Sequence, residues 1–138
     1  MNHYSYHSHT ADIQMKVQAA TLNALFEMAM LGMSNLLKND FCNQQVNGIF
    51  EKQLYVRSAD TTGLLIDFLS EVLLQSNIEK IIFCNLNVVK LTDQEIEATL
   101  WGMQVSHFDE DIKAVTYHDA NVFQNENYEW EATIIFDI

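Results

Sequence analysis

After its second predicted helix, the chain shows only strand-like segments. Residues 80–89 are rich in Ile, Phe and Val, and residues 95–103 and 130–136 alternate apolar with polar side chains, a period of two that is typical of strands. Residues 112–118 are a further strand candidate, and residues 119–127 are predicted to form a hairpin connection. Parallel neighbours need crossovers of a dozen or more residues, so this run predicts antiparallel pairing.

Two helical patterns alternate with strands in the first half of the chain. Residues 13–17 alternate as a strand, and Thr21 is a suitable N-cap for a helix over residues 22–38, where apolar side chains recur at spacings of three and four. Residues 49–57 alternate again, and Asp60 can cap a second helix. This order predicts an α+β class, with two helices and a mostly antiparallel sheet in one domain over residues 1–138.

The charge balance bears on the class of partner. The 138 residues include 19 Asp and Glu but only 7 Lys and Arg, giving a formal net charge of −12. Phosphate binding needs clustered Lys and Arg, so we expect no direct nucleic-acid partner, whereas an acidic surface suits a basic protein or a cation. No apolar run approaches the about 20 residues that span a bilayer. The first residues lack the basic and apolar segments of a secretion signal, so we expect a cytoplasmic protein without a membrane partner.

The spacing of cysteines and histidines gives no strong metal motif. Cys42 and Cys84 lie far apart with no CxxC pair, and we expect two buried thiols. We expect His3, His7 and His9 to lie in a solvated N-terminal tail; the alternative is zinc or nickel chelation by His7 and His9 in an extended segment. His9 is the exception, because it adjoins the turn before Asp12 and is placed to orient that carboxylate or to cap the turn.

Acidic residues near both ends of the chain form the main candidate site. Asp12 stands at the mouth of the first predicted strand, and Asp137 and Ile138 end the last one. If these strands are neighbours, both aspartates and the carboxylate of Ile138 share one small volume. Carboxylates about 4 Å apart repel by about 4 kcal/mol per pair at an effective dielectric of about 20, so such a cluster is expected to bind calcium or magnesium. The alternative is that Asp12 caps a turn and Asp137 only ends a strand.

Lys113 and His118 lie in the strand candidate over residues 112–118. They point to opposite faces of a regular strand, because their separation is odd, unless a bulge intervenes. Lys113 is suited to reach an anionic pocket at the strand end; the alternative is a surface lysine that extends into solvent. No GxSxG, HExxH or glycine-rich phosphate loop occurs, so no catalytic residue is predicted and an enzyme is the weaker hypothesis.

The chain resembles the archease family in five motifs that occur in the family's order. These are HTADI at residues 9–13, TLxxLF at 21–26, LLIDFLSE at 64–71, IKAVTYH at 112–118 and the closing segment 130–138. The resemblance implies a small α+β domain that is not itself a catalyst. Archeases assist the GTP-dependent RNA ligase of tRNA splicing and RNA repair, promoting its guanylylation and its repeated turnover.

The resemblance also implies roles for particular residues. By position, the family's metal ligands fall on Asp12 and Asp137, with Ile138 completing a calcium site, and its lysine and histidine fall on Lys113 and His118. The chain departs from the family in two places. It has Gln-Met after HTADI, where the family usually has Gly-Ile, and its loop at residues 106–111 is short. Neither departure removes a presumed ligand.

Three functions are therefore open on the sequence alone. The first is an accessory protein whose acidic tip docks into the nucleotide- and metal-containing site of the ligase. The second is a metal-dependent hydrolase that uses the same carboxylates with His118 as general base. The third is a chaperone-like module whose helix face with Met28, Met30 and Met33 binds diverse clients, although such methionines more often fill a core.

Overall fold

The computed structural model describes residues 2–8, 12–43 and 50–138. Within these ranges the chain forms two α-helices, a short 3-10 turn and seven strands, and no helix there is long and apolar enough to cross a membrane. The predicted α+β class is confirmed. The elements are β1 (His3–Ser8), β2 (Asp12–Ala19), α1 (Leu22–Leu37), the 3-10 turn (Phe41–Asn43), β3 (Phe50–Arg57), α2 (Thr61–Glu79), β4 (Ile81–Leu91), β5 (Glu95–Gln104), β6 (Ala114–Gln124) and β7 (Trp130–Asp137).

The strands lie in two antiparallel sheets with the helices packed against them. One sheet has the order β1-β2-β7-β6 and the other has the order β3-β5-β4. Helix α1 contacts β2 and β4, and α2 contacts β3, β4 and β6. Alternate residues of β2, β5 and β7 are buried, so each of these strands has one apolar face in the core and one polar face outside.

Both helices begin where the sequence predicts. The side chain of Thr21 accepts the N–H of Ala24 at 3.1 Å, and that of Asp60 accepts the N–H of Gly63 at 2.7 Å, which satisfies donors that the first turn leaves free. Met30 and Met33 of α1 are fully buried. These two methionines therefore fill the core, as the sequence pattern favoured.

The expectation of a solvated N-terminal tail is wrong for residues 3–8. Strand β1 pairs antiparallel with β2, with Tyr4 opposite Val17 and Tyr6 opposite Met15. The Tyr6 hydroxyl donates to the carbonyl of Gly32 at 2.6 Å, which ties the strand to α1. The composition of this segment concealed the strand, because the half-buried Tyr4 and Tyr6 alternate with the exposed polar residues His3, Ser5 and His7.

The expectation of two buried thiols is also wrong. Cys42 and Cys84 form a disulfide with their Cα atoms 5.3 Å apart, within the range that a disulfide bridges. Cys42 lies in the 3-10 turn after α1, and Cys84 lies where the register of β4 shifts between Phe83 and Asn85. The pairing depends on how α1 lies across β4, which no local spacing reveals.

Strand β6 is longer than predicted, and the connection to β7 is shorter. β6 continues to Gln124 through an irregular stretch between Thr116 and Asn121. Asp119 within that stretch has a left-handed backbone, with φ 55°, a conformation that aspartate tolerates better than most residues. The predicted connection over residues 119–127 is therefore largely strand, and the chain turns only after Gln124.

Gly102 allows a close approach of β5 to β4. A Cβ there would clash with the main-chain carbonyl of Ile82, whereas a Cβ at Gly32 would meet the side-chain sulfur of Met15, which can turn away. We expect Gly102→Ala to lower the free energy of unfolding by about 2 kcal/mol. Gly32→Ala should cost less, because alanine favours a helix by about 1 kcal/mol. Urea unfolding measures both losses, and equal losses would contradict this explanation.

Candidate functional site

Residues from the two ends of the chain meet at one end of the four-stranded sheet. Strands β2 and β7 are neighbours, and Asp12 lies directly opposite Asp137 in their register. Directly opposed residues of an antiparallel pair have Cα atoms about 4.5–5.5 Å apart and side chains on the same face. The prediction that these strands lie side by side and bring the two aspartates together is confirmed.

The two carboxylates lie on the polar outer face of the sheet. Ile13 and Phe136 are the next residues along each strand and are buried in the core, so Asp12 and Asp137 point to the opposite side. Asp12 is half-buried and Asp137 is exposed. Like charges directly opposite each other destabilise a sheet. The pair therefore does not serve folding and is a candidate for binding.

Ile138 and Lys113 adjoin this pair in different ways. Ile138 is half-buried and packs against the core, which restrains its carboxyl group beside Asp137. The main-chain N–H of Lys113 donates to the carbonyl of Asp137 at 2.7 Å. Lys113 also lines a groove of about 280 Å³ with Leu74 and Asn77 of α2. Lys113 thus fixes the end of β7 through its backbone and lies beside α2.

His118 does not lie beside the two aspartates. Ala114 is the β6 residue opposite Asp137, and His118 lies further along β6, in the irregular stretch between Thr116, which is opposite Ile135, and Asn121, which is opposite Thr133. Its imidazole is 77% exposed and lies 3.4 Å from the carboxylate of its neighbour Asp119. Because β6 is irregular here, the odd separation of Lys113 and His118 does not fix the faces of the sheet to which they point.

A contact between α2 and β6 was missed by the sequence reasoning. The hydroxyl of Tyr117 donates to the carboxylate of Asp67, and this hydrogen bond raises the pKa of Tyr117 above its ordinary value. The two residues lie in two of the five motifs, IKAVTYH and LLIDFLSE. Their spacing along the chain gave no signal, because the contact depends on how α2 packs against β6.

The donor set fits a hard cation, but only as part of a ligand shell. Asp12 and Asp137 offer carboxylate oxygens, and calcium takes about 6–8 oxygen ligands. Among the described residues, no group of three or more His, Cys, Asp or Glu is placed to hold a metal. Further oxygens would have to come from Ile138, water or a partner. His9 lies outside the described residues, so its support of Asp12 stays a prediction.

The acidic turn before Lys113 is tied to the end of α1. The N–H of Asp109 donates to the carbonyl of Leu37 at 2.7 Å, and its carboxylate accepts the N–H of Asn39 at 3.0 Å. The Nζ of Lys38 lies 3.4 Å from the same carboxylate. Asp109 therefore fixes the path of the short loop that leads to Lys113.

Acid is expected to release this attachment. The hydrogen bond from Asn39, and then Lys38, hold the pKa of Asp109 below its ordinary value. A carboxyl group with a lowered folded-state pKa stabilises the fold above its unfolded pKa of about 3.9, and this contribution is lost as the pH falls through the lower folded value. The amide chemical shift of Asn39 should therefore titrate below about pH 4 in wild type and not in Asp109→Asn. Equal titration in both would contradict the assignment.

The sequence and the fold are shared with a known family. Residues 4–138 match the model of the Archease protein family (MTH1598/TM1083). This chain belongs to the archease family. The archeases of Methanosarcina acetivorans and Methanosarcina mazei are 33% and 30% identical to it, over 98% of this chain and 95% of theirs. The archease of Pyrococcus furiosus is 28% identical over 100% of both chains.

Solved structures of two proteins confirm the archease fold. Protein 1598 of Methanobacterium thermoautotrophicum, solved in solution, has a TM-score of 0.79 at 24% identity and covers 98% of each chain. The crystal structure of an archease from Thermotoga maritima, described as a possible chaperone, has a TM-score of 0.63 at 18% identity, covering 96% of this chain and 94% of the other. At these identities the likeness concerns the fold alone.

Proposed function

We propose that this archease is an accessory protein of a GTP-dependent RNA ligase in tRNA splicing or RNA repair. It would promote guanylylation of the ligase and its repeated turnover, without being an enzyme itself. The observation that carries the proposal is the opposed pair Asp12 and Asp137, displayed at the end of a sheet in a chain of the archease family. A formal net charge of −12 suits a basic protein surface as partner and disfavours direct contact with RNA.

In this proposal Asp12, Asp137 and the carboxylate of Ile138 hold a divalent cation, calcium in preference to magnesium. The cation would relieve the repulsion between the carboxylates and present positive charge to an anionic group of the partner. The chain contributes by holding the proposed ligands in position. The pairing of β2 with β7 fixes the two aspartates, packing of Ile138 restrains the last carboxyl group, and the Lys113 N–H holds the carbonyl of Asp137.

The structure favours neither alternative function. A general base must come within about 2.6–3.2 Å of the proton that it abstracts, or within one water of it, and His118 lies well along β6 from the aspartates. A client-binding methionine face needs exposed methionines, but Met30 and Met33 are fully buried and Met28 is half-buried. The accessory role needs neither a base beside the carboxylates nor an exposed methionine face.

Multiple-turnover RNA joining by the cognate ligase tests the proposal. The ligase is given excess broken RNA and GTP, with and without this protein, and joined product per ligase is counted. We expect product beyond one equivalent of ligase only when the protein is present. RNA and GTP incubated with the protein alone serve as the control for a hydrolase. Equal product with and without the protein would overturn the accessory role, and ligase-independent hydrolysis would support the alternative.

Adding one glycine after Ile138 is expected to weaken the stimulation. The extra residue moves the terminal carboxylate by about 3.3 Å, while the packing of the Ile138 side chain is kept. The matched control is Ile138→Val, which leaves the terminal carboxylate in place. Stimulation of RNA joining should fall in the extended chain and persist in the control. Full stimulation by the extended chain would exclude that carboxylate as a ligand.

A further inference from the structure

The disulfide between Cys42 and Cys84 has no part in the proposed function. Both cysteines are half-buried, and with Tyr4, Met28 and Leu31 they line a surface cavity of about 260 Å³. Exposed disulfides are the reducible, regulatory or catalytic ones, whereas structural disulfides resist reduction. Because this disulfide lines a surface cavity, we class it with the exposed, reducible disulfides.

The fold does not need this cross-link to form a core. Chains of 138 residues bury enough apolar surface to fold without disulfides, and small disulfide-dependent scaffolds are much shorter. In a reducing compartment, a disulfide is usually transient and redox-sensing. A single accessible disulfide in such a chain points to a redox role.

We propose that Cys42 and Cys84 form a reversible thiol–disulfide exchange site, whose partner is a dithiol reductant of the thioredoxin class. A thiolate of the reductant attacks one cysteine sulfur, the Cys42–Cys84 bond breaks, and the other cysteine leaves as a thiolate and takes up a proton. The second thiol of the reductant loses its proton and displaces the first cysteine from the mixed disulfide, and this cysteine also leaves as a thiolate and takes up a proton. The protein gains two electrons and two protons, and the dithiol becomes a disulfide.

The disulfide also holds the segment after α1 on β4. Apart from the disulfide, the turn Phe41–Asn43 is held by the half-buried Phe41, which packs against the core. Hydrogen bonds also hold it, from the N–H of Asp40 to the side chain of Asn35 at 2.9 Å and from the N–H of Phe41 to the carbonyl of Lys38 at 3.2 Å. On the other side, Cys84 lies in a shift of the β4–β5 register. Breaking the bond therefore leaves only noncovalent contacts to hold the turn on β4.

The effect of reduction reaches the loop before Lys113. Lys38 and Asn39 lie directly before the released turn, and both contact the carboxylate of Asp109. Reduction should therefore increase the mobility of the turn first and of the Asp109 attachment second. This change in mobility does not depend on the ligase, so it can be tested independently of the proposed function.

Dithiothreitol, a small dithiol, tests the exchange site on the whole protein. After timed reduction in folded protein or in concentrated urea, dithiothreitol is removed and the free protein thiols are titrated with a chromogenic disulfide. We expect two thiols per chain to appear in the folded protein, at a rate within about tenfold of that in urea, with the circular dichroism of the fold retained. Reduction that occurs only in urea, or a loss of fold on reduction, would overturn the proposal.

Amide chemical shifts test the conformational consequence. We expect those of Asn39 and Asp109 to move on reduction, while that of Ala98 in the centre of β5 stays in place. The double variant Cys42→Ser/Cys84→Ser should reproduce the reduced spectrum and ignore dithiothreitol. Unmoved shifts at Asn39 and Asp109 in the reduced protein would overturn the link between the disulfide and the loop.

Discussion

Asp137→Asn is expected to remove the stimulation of the ligase, and Asp12→Asn is expected to do the same. Asparagine keeps the size of the side chain but removes the charge that a hard cation requires. Changing groups that merely support a metal site typically costs about 10–100-fold in affinity or activity, so losing a direct ligand should cost at least about tenfold. Joined RNA per ligase measures the loss.

The fold should survive both substitutions. Asp12 and Asp137 lie opposite each other on the outer face of the sheet, so removing one charge relieves repulsion and leaves the core intact. Asp93→Asn is the matched control, since it removes a carboxylate from an exposed turn after β4, in the other sheet. Thermal unfolding should show all three variants at or above wild-type stability. Wild-type stimulation by both site variants would remove the carboxylate pair from the mechanism.

Phe68→Ala is expected to be the most costly of the proposed single substitutions for stability. Phe68 of α2 is fully buried, and its ring centroid lies 5.4 Å from that of Phe26 in α1. Truncating a buried phenylalanine removes its transfer free energy and leaves a cavity, which together cost about 3–5 kcal/mol. This loss is a large fraction of the free energy of unfolding of a typical domain, which is about 5–15 kcal/mol. Urea unfolding measures it.

Phe123→Ala is the matched control, because Phe123 is 43% exposed and its substitution should cost about 0.5 kcal/mol or little more. The double variant Phe26→Ala/Phe68→Ala should show a coupling of about 0.5–1.5 kcal/mol between the two rings. If Phe68→Ala were as stable as Phe123→Ala, the contact between α1 and α2 would not be a central part of the core.

Local signals predicted most of the elements. The N-caps at Thr21 and Asp60 and the alternation along β2, β5 and β7 depend on neighbouring residues alone, so they can be read from the chain. Strand β1 was not predicted because it is a short edge strand in which Tyr4 and Tyr6 alternate with histidine and serine instead of with a clear apolar pattern. The irregular stretch of β6 was not predicted, because a bulge breaks the period of two by which a strand is recognised.

The candidate site was predictable to the extent that it depends on the pairing of β2 with β7. Asp12 and Asp137 were recognised because each marks the end of a predicted strand. The attachment of Asp109 to α1 and the disulfide between Cys42 and Cys84 were not predictable, because both join segments that only the tertiary fold brings together. For the same reason, the sequence did not place Lys113 beside α2.

Guanylylation of the cognate RNA ligase by labelled GTP, with and without this archease, is the most direct test of the accessory role. Ligase that has completed one round of joining is mixed with labelled GTP and a substoichiometric amount of the protein, and the label retained on the ligase is followed over time. The proposal predicts that wild-type protein accelerates relabelling of the ligase and that Asp137→Asn protein does not. The same rate of relabelling with and without the wild-type protein would contradict the proposal.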